Sequence, residues 1–314
     1  MLTPFDIVAI GEAMVEFNQV SEGGGRTYLQ GFGGDTSNAM IAASRQGARC
    51  AYVTKLGDDD FGRMCLELWR HEGVDASAVT LDPSAPTGIY FVRHDKKGHF
   101  FSYRRADSAA SRMRPPDVPA SLLRRCKFLH ASAISQAISP SANETVLHAI
   151  QTARAVGSQI SYDPNPRLKL WPLSRAREVI TATIPLCDHF LPSLDDVTPV
   201  CGLQNPAEIV RWCHDKGAKT VVLKLGRRGS LVSDAKNCET VAAHTVNAVD
   251  ATGAGDCFDG SYLSRLALGW DAVSAARWAS AAAALATTGY GAVEPLPRVE
   301  DVRRMLQQER QLPV

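Results

Sequence analysis

The chain has 314 residues, 45% of them hydrophobic, and its 34 basic and 33 acidic side chains leave a formal net charge of +1. This composition predicts a soluble globular protein, and the near-neutral charge argues against nucleic acid or an anionic membrane surface as a partner. The eight cysteines form no C-x-x-C pair and no cluster at zinc spacing, so they indicate neither a zinc ribbon nor a thioredoxin-type site. We therefore expect a small-molecule ligand.

The N-terminal sequence, MLTPFDIVAI, lacks the basic stretch, long apolar segment and small-residue cleavage site of a secretory signal. The longest alanine-rich segment, near 279–286, is too short to span a bilayer. We expect no membrane association and a cytoplasmic location.

Short apolar segments bounded by turn residues recur along the chain and predict buried strands. They cover residues 5–11, 50–57, 127–132, 158–163, 188–193 and 220–226. Segments with helical periodicity lie between them and cover residues 36–47, 60–73, 142–157 and 205–217. This alternation predicts an α/β fold in which helices flank a mostly parallel sheet.

Two segments, 13–30 and 87–106, interrupt this alternation. In both, polar and apolar residues alternate around a Gly-rich or Lys-Gly turn, which predicts β-hairpins. Hairpins near the ligand face of an α/β core commonly act as a lid, and their half-exposed faces can pair with a second subunit. We therefore expect one α/β domain over residues 1–314 with a small β lid, and a homo-oligomer formed through that lid.

The most informative pattern is Gly253-Ala254-Gly255-Asp256, which directly precedes a helix-compatible sequence. Small residues at a helix N-terminus let backbone N–H groups approach an anion, and the helix dipole favours negative charge there. Asp256 would then lie beside a phosphate, where a carboxylate can deprotonate an attacking hydroxyl. The alternative is an ordinary glycine-rich turn in which the aspartate caps the helix.

A second small-residue cluster, Gly31–Ala39, opens an earlier helix. Asp35 and Asn38 offer acceptors and donors suited to sugar hydroxyls, and Gly33 and Gly34 would let a ligand approach the backbone. Alone, such a stretch is more often a strand-to-helix turn capped by a threonine or serine. Two such openings in one sheet, however, predict a shared crevice.

The two clusters resemble the signature regions of the ribokinase-like (PfkB) carbohydrate kinases, with GGDTSNAMIAASRQGA at 33–48 and DATGAGDCFDG at 250–260. Within that family, KLGDDDFG at 55–62, YRRADSAAS at 103–111 and DPNPR at 163–167 are similar to the 2-keto-3-deoxygluconate kinases. The resemblance covers nearly the whole chain. It implies a ribokinase-like, Rossmann-like sheet with a β lid, ATP and Mg²⁺ as cofactors, and phosphorylation of the terminal hydroxyl of 2-keto-3-deoxygluconate.

The resemblance also implies roles for individual residues. Asp256 corresponds to the catalytic base, and Gly253, Ala254 and Gly255 correspond to the anion hole. The substrate-binding candidates are Gly33, Gly34, Asn38, Tyr90, Tyr103, Arg105 and Arg167. The nucleotide-binding candidates are Asn165, Arg167, Ser193, Lys224, Gly226, Gly229, Gly253 and Gly255. No metal ligand is assigned directly.

A keto-acid sugar carries a carboxylate that needs a cationic partner, whereas a neutral sugar does not. Tyr103 and Arg105 alternate onto one side of the second hairpin, and Arg167 leaves a strand end toward the same crevice, where it can serve sugar or phosphate. Without the resemblance, a solvated basic edge strand is the better interpretation of this hairpin. A kinase for a neutral sugar such as fructose or ribose, and a sugar- or nucleotide-binding regulator without catalysis, stay as alternatives.

One segment departs from the family pattern. Many members carry an N-x-x-E element that acts on magnesium through water, and the corresponding stretch here is Ser193-Leu194-Asp195-Asp196. Asp196 can replace the glutamate because both are acidic residues, whereas the Ser193 hydroxyl cannot fully replace an amide. Hydrated Mg²⁺ tolerates a changed outer shell, so we still expect Mg²⁺.

Overall fold

The computed structural model describes residues 5–19, 27–95 and 98–311. The strands are β1 (Phe5–Ile10), β2 (Met14–Gln19), β3 (Tyr28–Gly33), β4 (Cys50–Gly57), β5 (Val74–Asp82), β6 (Gly88–Asp95), β7 (Gly98–Arg104), β8 (Cys126–Ser132), β9 (Gln159–Asp163), β10 (His189–Phe190), β11 (Thr220–Lys224), β12 (Ser230–Ser233) and β13 (Cys238–Val241). The helices are α1 (Asp35–Arg45), α2 (Asp60–Glu72), α3 (Ala120–Leu123), α4 (Ala133–Ala137), α5 (Pro140–Ala155), α6 (Leu173–Thr183), α7 (Leu194–Cys201), α8 (Pro206–Asp215), α9 (Ala254–Ala267), α10 (Ala272–Ala286) and α11 (Val299–Gln311).

A nine-stranded sheet forms the body of the molecule, in the order β13-β12-β11-β10-β9-β8-β1-β4-β5. The pairs from β11 to β5 are parallel, and only β12 and β13 join in antiparallel fashion. Every segment predicted as a buried strand contributes to this sheet, and each predicted helix is present. The predicted α/β architecture is therefore confirmed, and residues 1–4 lie outside the described chain.

Helices cover both faces of the main sheet because its central strands are apolar on both sides. Along β1, Ile7 and Ala9 pack into one buried cluster, which α1, α2, α9 and α10 complete. Val8 and Ile10 point to the opposite face and pack into a second cluster with α5, α6 and α8. Within the described ranges, no helix is both long and apolar enough to cross a membrane.

The two predicted hairpins form a separate four-stranded sheet, in the order β3-β2-β6-β7. The strands of each hairpin pair in antiparallel fashion, and the hairpins join through the parallel pair β2–β6. The connections at residues 20–26 and 96–97 lie outside the described residues. One end of this second sheet reaches the carboxyl ends of the main-sheet strands, where α/β proteins commonly bind ligands.

Candidate active site

A cleft of about 420 Å³ lies between the carboxyl ends of the main-sheet strands and the second sheet. Nine of the sequence-predicted site residues line it: Gly34, Asn38, Tyr90, Tyr103, Arg105, Asn165, Arg167, Gly253 and Asp256. The other predicted residues are not part of its lining: Gly33, Ser193, Lys224, Gly226, Gly229, Ala254 and Gly255. The cleft therefore brings the two glycine-rich helix openings together with one strand end and with both hairpins, the first of which contributes Met14.

Asp256 lies in the first turn of α9 and lines the cleft. Its Oδ2 accepts a hydrogen bond from Asn38 Nδ2 of α1 at 2.7 Å, so the two glycine-rich openings meet directly. Burial disfavours the charged form, the carboxylate of Asp35 adds repulsion, and together they raise the pKa of Asp256 to about 8 despite the opposing bond from Asn38. A carboxylate whose pKa is raised in this way can accept a proton near neutral pH.

The N-terminus of α9 is open to an anion. The helix begins after Gly253, whose φ of 74° and whose approach to the Ala292 carbonyl, 2.9 Å from a Cβ built there, both favour glycine. Within the described residues, the amides of Gly255 and Asp256 have no backbone acceptor. Free N–H groups at the positive end of a helix dipole provide the donors and field that bind phosphate.

The opening of α1 looks similar in sequence, but protein atoms occupy the space beside its two glycines. A Cβ at Gly33 would lie 2.2 Å from the Tyr90 hydroxyl, and one at Gly34 would lie 2.3 Å from the Glu12 carbonyl oxygen. Asp35 accepts a short hydrogen bond from the Ser132 hydroxyl. These glycines allow close packing on the side where a Cβ would point, and Gly34 also lines the cleft, so the approach of a ligand to their backbone stays a prediction.

The predicted cation of the cleft, Arg105, is buried beside a carboxylate that the sequence analysis did not single out. Its guanidinium forms a close ion pair with Glu12, which also accepts a hydrogen bond from Ser108 Oγ at 2.5 Å. The guanidinium lies 5.8 Å from the centre of the Tyr103 ring. Arg105 Nε is buried without a hydrogen-bond acceptor among the described residues. Only the position of Glu12 directly after β1, at the ligand edge of the sheet, gave any sequence signal for it.

Tyr90 lines the cleft with its ring, while its hydroxyl is occupied. The hydroxyl donates a hydrogen bond to Glu16 Oε2 at 2.5 Å, and both residues are buried. Burial outweighs this bond and raises the pKa of Glu16. Tyr90 therefore offers a ligand mainly an apolar surface.

The strand end after β9 places Asn165 and Arg167 in the cleft wall. Asn165 donates its backbone N–H to Asp163 Oδ1 at 3.0 Å, which fixes the turn. Arg167 has a φ of 36°, a left-handed conformation that is uncommon for a residue with a side chain. Such conformations are concentrated at ligand sites, where the surrounding structure holds them in place.

Two of the remaining nucleotide-binding candidates, Lys224 and Gly229, have close contacts within the protein, whereas Gly226 does not. Lys224 Nζ lies 2.9 Å from Asp259 Oδ1 and 3.3 Å from Asp163 Oδ2. A Cβ at Gly229 would lie 1.9 Å from the Val241 carbonyl oxygen, so this glycine is required for packing. Gly226 is exposed, with nothing near its would-be Cβ.

The departure from the N-x-x-E pattern has a local structural basis. Ser193 caps α7: its hydroxyl donates to Asp196 Oδ2 at 2.6 Å and accepts from the Asp196 amide at 3.2 Å. Burial raises the pKa of Asp196, and the carboxylate of Asp163 adds to that effect. An incompletely neutralised carboxylate fits a hydrated Mg²⁺ held through water, with Ser193 orienting it.

The comparisons with known proteins agree with this geometry. The profile of the pfkB family of carbohydrate kinases matches residues 5–299. This chain belongs to the pfkB family. A 2-dehydro-3-deoxygluconokinase from Thermoproteus tenax is 36% identical over 313 residues, which cover 96% of this chain and 94% of that relative. Fructokinase-2 from Solanum habrochaites is 31% identical over 317 residues, covering 96% and 95%.

Solved structures of PfkB kinases share the whole fold. A ribokinase II from E. coli, solved in complex with ATP and Mg²⁺, superposes with a TM-score of 0.88 at 26% identity, covering 97% of this chain and 99% of that one. The predicted membership of the ribokinase-like carbohydrate kinases is therefore confirmed. Sugar phosphorylation is the activity of this PfkB kinase.

Proposed function

We propose that this PfkB kinase transfers the γ-phosphoryl group of ATP to the terminal hydroxyl of 2-keto-3-deoxygluconate in the cytoplasm, giving the 6-phosphate. The buried Nε of Arg105, which has no acceptor among the described residues, carries this proposal because it is a donor held ready for a ligand. An acidic keto-sugar supplies a carboxylate for that donor, whereas a neutral sugar supplies only hydroxyls. The similarity to the 2-dehydro-3-deoxygluconokinase of T. tenax supports the same acceptor.

In the proposed mechanism, Asn38 holds the Asp256 carboxylate toward the acceptor hydroxyl. Asp256 accepts the hydroxyl proton while the oxygen forms a bond to the γ-phosphorus and the bond to the leaving ADP oxygen breaks. The free amides of Gly255 and Asp256 stabilise the negative charge on the phosphoryl oxygens. Mg²⁺, when bound near Asp196, supplies charge neutralisation on the phosphates.

A second candidate, a kinase for a neutral sugar such as fructose, is favoured by a specific observation. Glu12 already pairs with the charge of Arg105, so a substrate carboxylate would have to share or displace that partner. The similarity to plant fructokinases supports this alternative. Both candidates use the same base and the same amides, and they differ only at the Arg105 end of the cleft.

Coupled measurement of ADP release separates the candidates. The purified protein is assayed with ATP and Mg²⁺ against 2-keto-3-deoxygluconate, fructose, ribose and adenosine. We expect the highest kcat/KM for the keto-acid. A clear preference for fructose or ribose would refute the acidic acceptor and leave the sugar kinase activity intact, and no turnover with any acceptor would favour a binding protein without catalysis.

A further inference from the structure

A buried ion cluster lies beneath the first turn of α9, and the transfer chemistry described above does not use it. It consists of Lys224, Asp163 and Asp259, whose side chains are 11%, 9% and 1% exposed. Apolar side chains of similar size usually stabilise a protein interior as well as or better than a buried ion pair. The cluster therefore indicates a role other than stability alone.

The cluster joins the segments that form the cleft. Asp163 ends β9, and its Oδ1 accepts the backbone N–H of Asn165, which lines the cleft. Asp259 lies one helical turn after Asp256 on the same side of α9. Lys224 ends β11 and binds both carboxylates, with distances of 2.9 Å to Asp259 Oδ1 and 3.3 Å to Asp163 Oδ2.

The ammonium of Lys224 also lies close to Gly255 in the first turn of α9. A Cβ built at Gly255 would lie 3.7 Å from Lys224 Nζ, which is the nearest atom apart from the neighbouring residues and backbone of the helix itself. Burial opposes the charge of Lys224, but the carboxylates of Asp163 and Asp259 outweigh it and raise the pKa of the ammonium above its ordinary value. The cation is therefore permanent over the working pH range.

We propose that Lys224 is a positioning residue for the catalytic base. Its ammonium ties α9 to the end of β9, which fixes Asp256 relative to the cleft wall formed by Asn165 and Arg167. Its charge also opposes the carboxylates around Asp256 and so helps to keep the base ionised. This role differs from the nucleotide contact that the sequence resemblance implies for Lys224, and it rests on the sugar kinase activity with Asp256 as base, whichever sugar is the acceptor.

The groups that face Asp256 define the expected pH dependence. Asp35 of α1, Asp163 of β9 and Tyr90 of β6 lie within electrostatic range, and Lys224 is the cation among them. Burial is the largest cause of the raised pKa of Asp256, and the carboxylates of Asp35 and Asp163 raise it further. Lys224 lowers that pKa. Because the base must be ionised, kcat/KM rises with pH through the pKa of Asp256 in the free enzyme. Removing the cation should move that rise to higher pH.

The first test compares pH profiles of kcat/KM for the wild type, Lys224→Met and Lys224→Arg, using the acceptor with the highest kcat/KM in the panel. We expect Lys224→Met to shift the acid limb upward by about one pH unit and to lower the plateau kcat by about tenfold or more. Lys224→Arg keeps the charge and should leave the acid limb in place. Lys219→Met is the matched control, because Lys219 pairs with Asp188 at 2.6 Å at the opposite end of β11 and is exposed.

A double variant separates charge from position and protects the test against misfolding. Lys224→Met with Asp163→Asn removes the cation that lowers the pKa of Asp256 together with one carboxylate that raises it, so the two effects on the base oppose each other. We expect its acid limb to return toward the wild-type position while its plateau kcat stays about tenfold low, because the tie between β9 and α9 is absent.

Three results would overturn the inference. One is a folded Lys224→Met protein with wild-type acid limb and plateau. Another is a double variant with wild-type plateau kcat. The third is loss of folding in both variants, which would make Lys224 a residue of global stability. A near-wild-type rate for Asp256→Asn would instead refute the proposed base, so the two failures are distinguishable.

Discussion

The two ends of the cleft begin with the same kind of sequence, a run of small residues followed by an aspartate and a helix, yet they are built differently. At α9, the amides of Gly255 and Asp256 are free within the described chain and no heavy atom other than Lys224 Nζ lies near the would-be Cβ of Gly255. At α1, Tyr90 and the Glu12 carbonyl fill the space that Gly33 and Gly34 leave.

A glycine-rich helix opening is therefore not by itself a ligand cradle. The α9 end has donors and room for a negatively charged group, so it suits the phosphates that every acceptor shares. At the α1 end, protein atoms fill the space beside the glycines and Arg105 pairs with Glu12, while Arg105 Nε and Asn38 Oδ1 are buried without a hydrogen-bond partner among the described residues. Changes at α9 should therefore affect turnover with every acceptor, and changes near α1 should affect stability or the choice of acceptor.

The largest effect is expected at the α9 end. Asp256→Asn keeps the size and most hydrogen bonds of the side chain but removes the base, so kcat should fall by about 100- to 10,000-fold with every acceptor. Steady-state kinetics measure this fall, and ATP binding and thermal unfolding should stay near wild type. A rate close to wild type would exclude Asp256 as the base.

A smaller, acceptor-dependent effect is expected at the Arg105 end. Loss of one charge-assisted contact should lower kcat/KM for 2-keto-3-deoxygluconate in Arg105→Ala by about ten- to more than a hundredfold, with little change for a weakly used neutral sugar. Arg104→Ala is the matched control, since Arg104 is the exposed neighbour on β7. Equal losses for both sugar classes would contradict carboxylate recognition. Arg167→Ala is less selective because Arg167 can also contact phosphate.

Substitutions of the glycines test the difference between the two helix openings through its effect on protein stability. Gly34 has a φ of 123° and no room for a Cβ, so Gly34→Ala should lower the free energy of unfolding by about 1 to 3 kcal/mol. The nearest atom to a Cβ at Gly255 lies at 3.7 Å, so Gly255→Ala should change that free energy by no more than about 1 kcal/mol. Urea denaturation measures both. Similar values for the two variants would remove the distinction between the two openings.

The smallest effect concerns the second sheet, which we propose covers the acceptor end as a movable lid. Amide hydrogen exchange in β2, β3, β6 and β7 should slow by about a few-fold when sugar and nucleotide are both bound, because closure reduces local opening. Exchange that is unchanged by ligands would count against a lid.

The same sheet carries our proposal of a homo-oligomer. Leu29 and Phe100 are 57% and 42% exposed, which favours contact with a second copy of the chain. Sedimentation should show a species larger than the monomer at micromolar concentration, and Leu29→Ser should shift it toward monomer. A wild-type protein that stays monomeric across this range would exclude the oligomer.

The sequence alone indicated six strands of the main sheet, five of the helices, the two hairpins, and the crevice shared by the segments of Asn38 and Asp256, whereas β5, β12, β13 and the other helices were not predicted. These features follow from apolar periodicity and from small residues at helix starts, both of which are local patterns. Helix and strand boundaries agree closely for the same reason, apart from β10, where only His189 and Phe190 form the strand.

Only the tertiary structure decided which groups neutralise which. The pairing of Glu12 with Arg105 and of Lys224 with Asp163 and Asp259 joins residues far apart in the chain, and no local pattern encodes such partners. The different surroundings of Gly33 and Gly255 could not be predicted from the sequence either, because the atoms around each glycine belong to other segments of the chain. Charge balance and free volume are properties of the assembled fold, and they decide where a ligand can bind and how the base titrates.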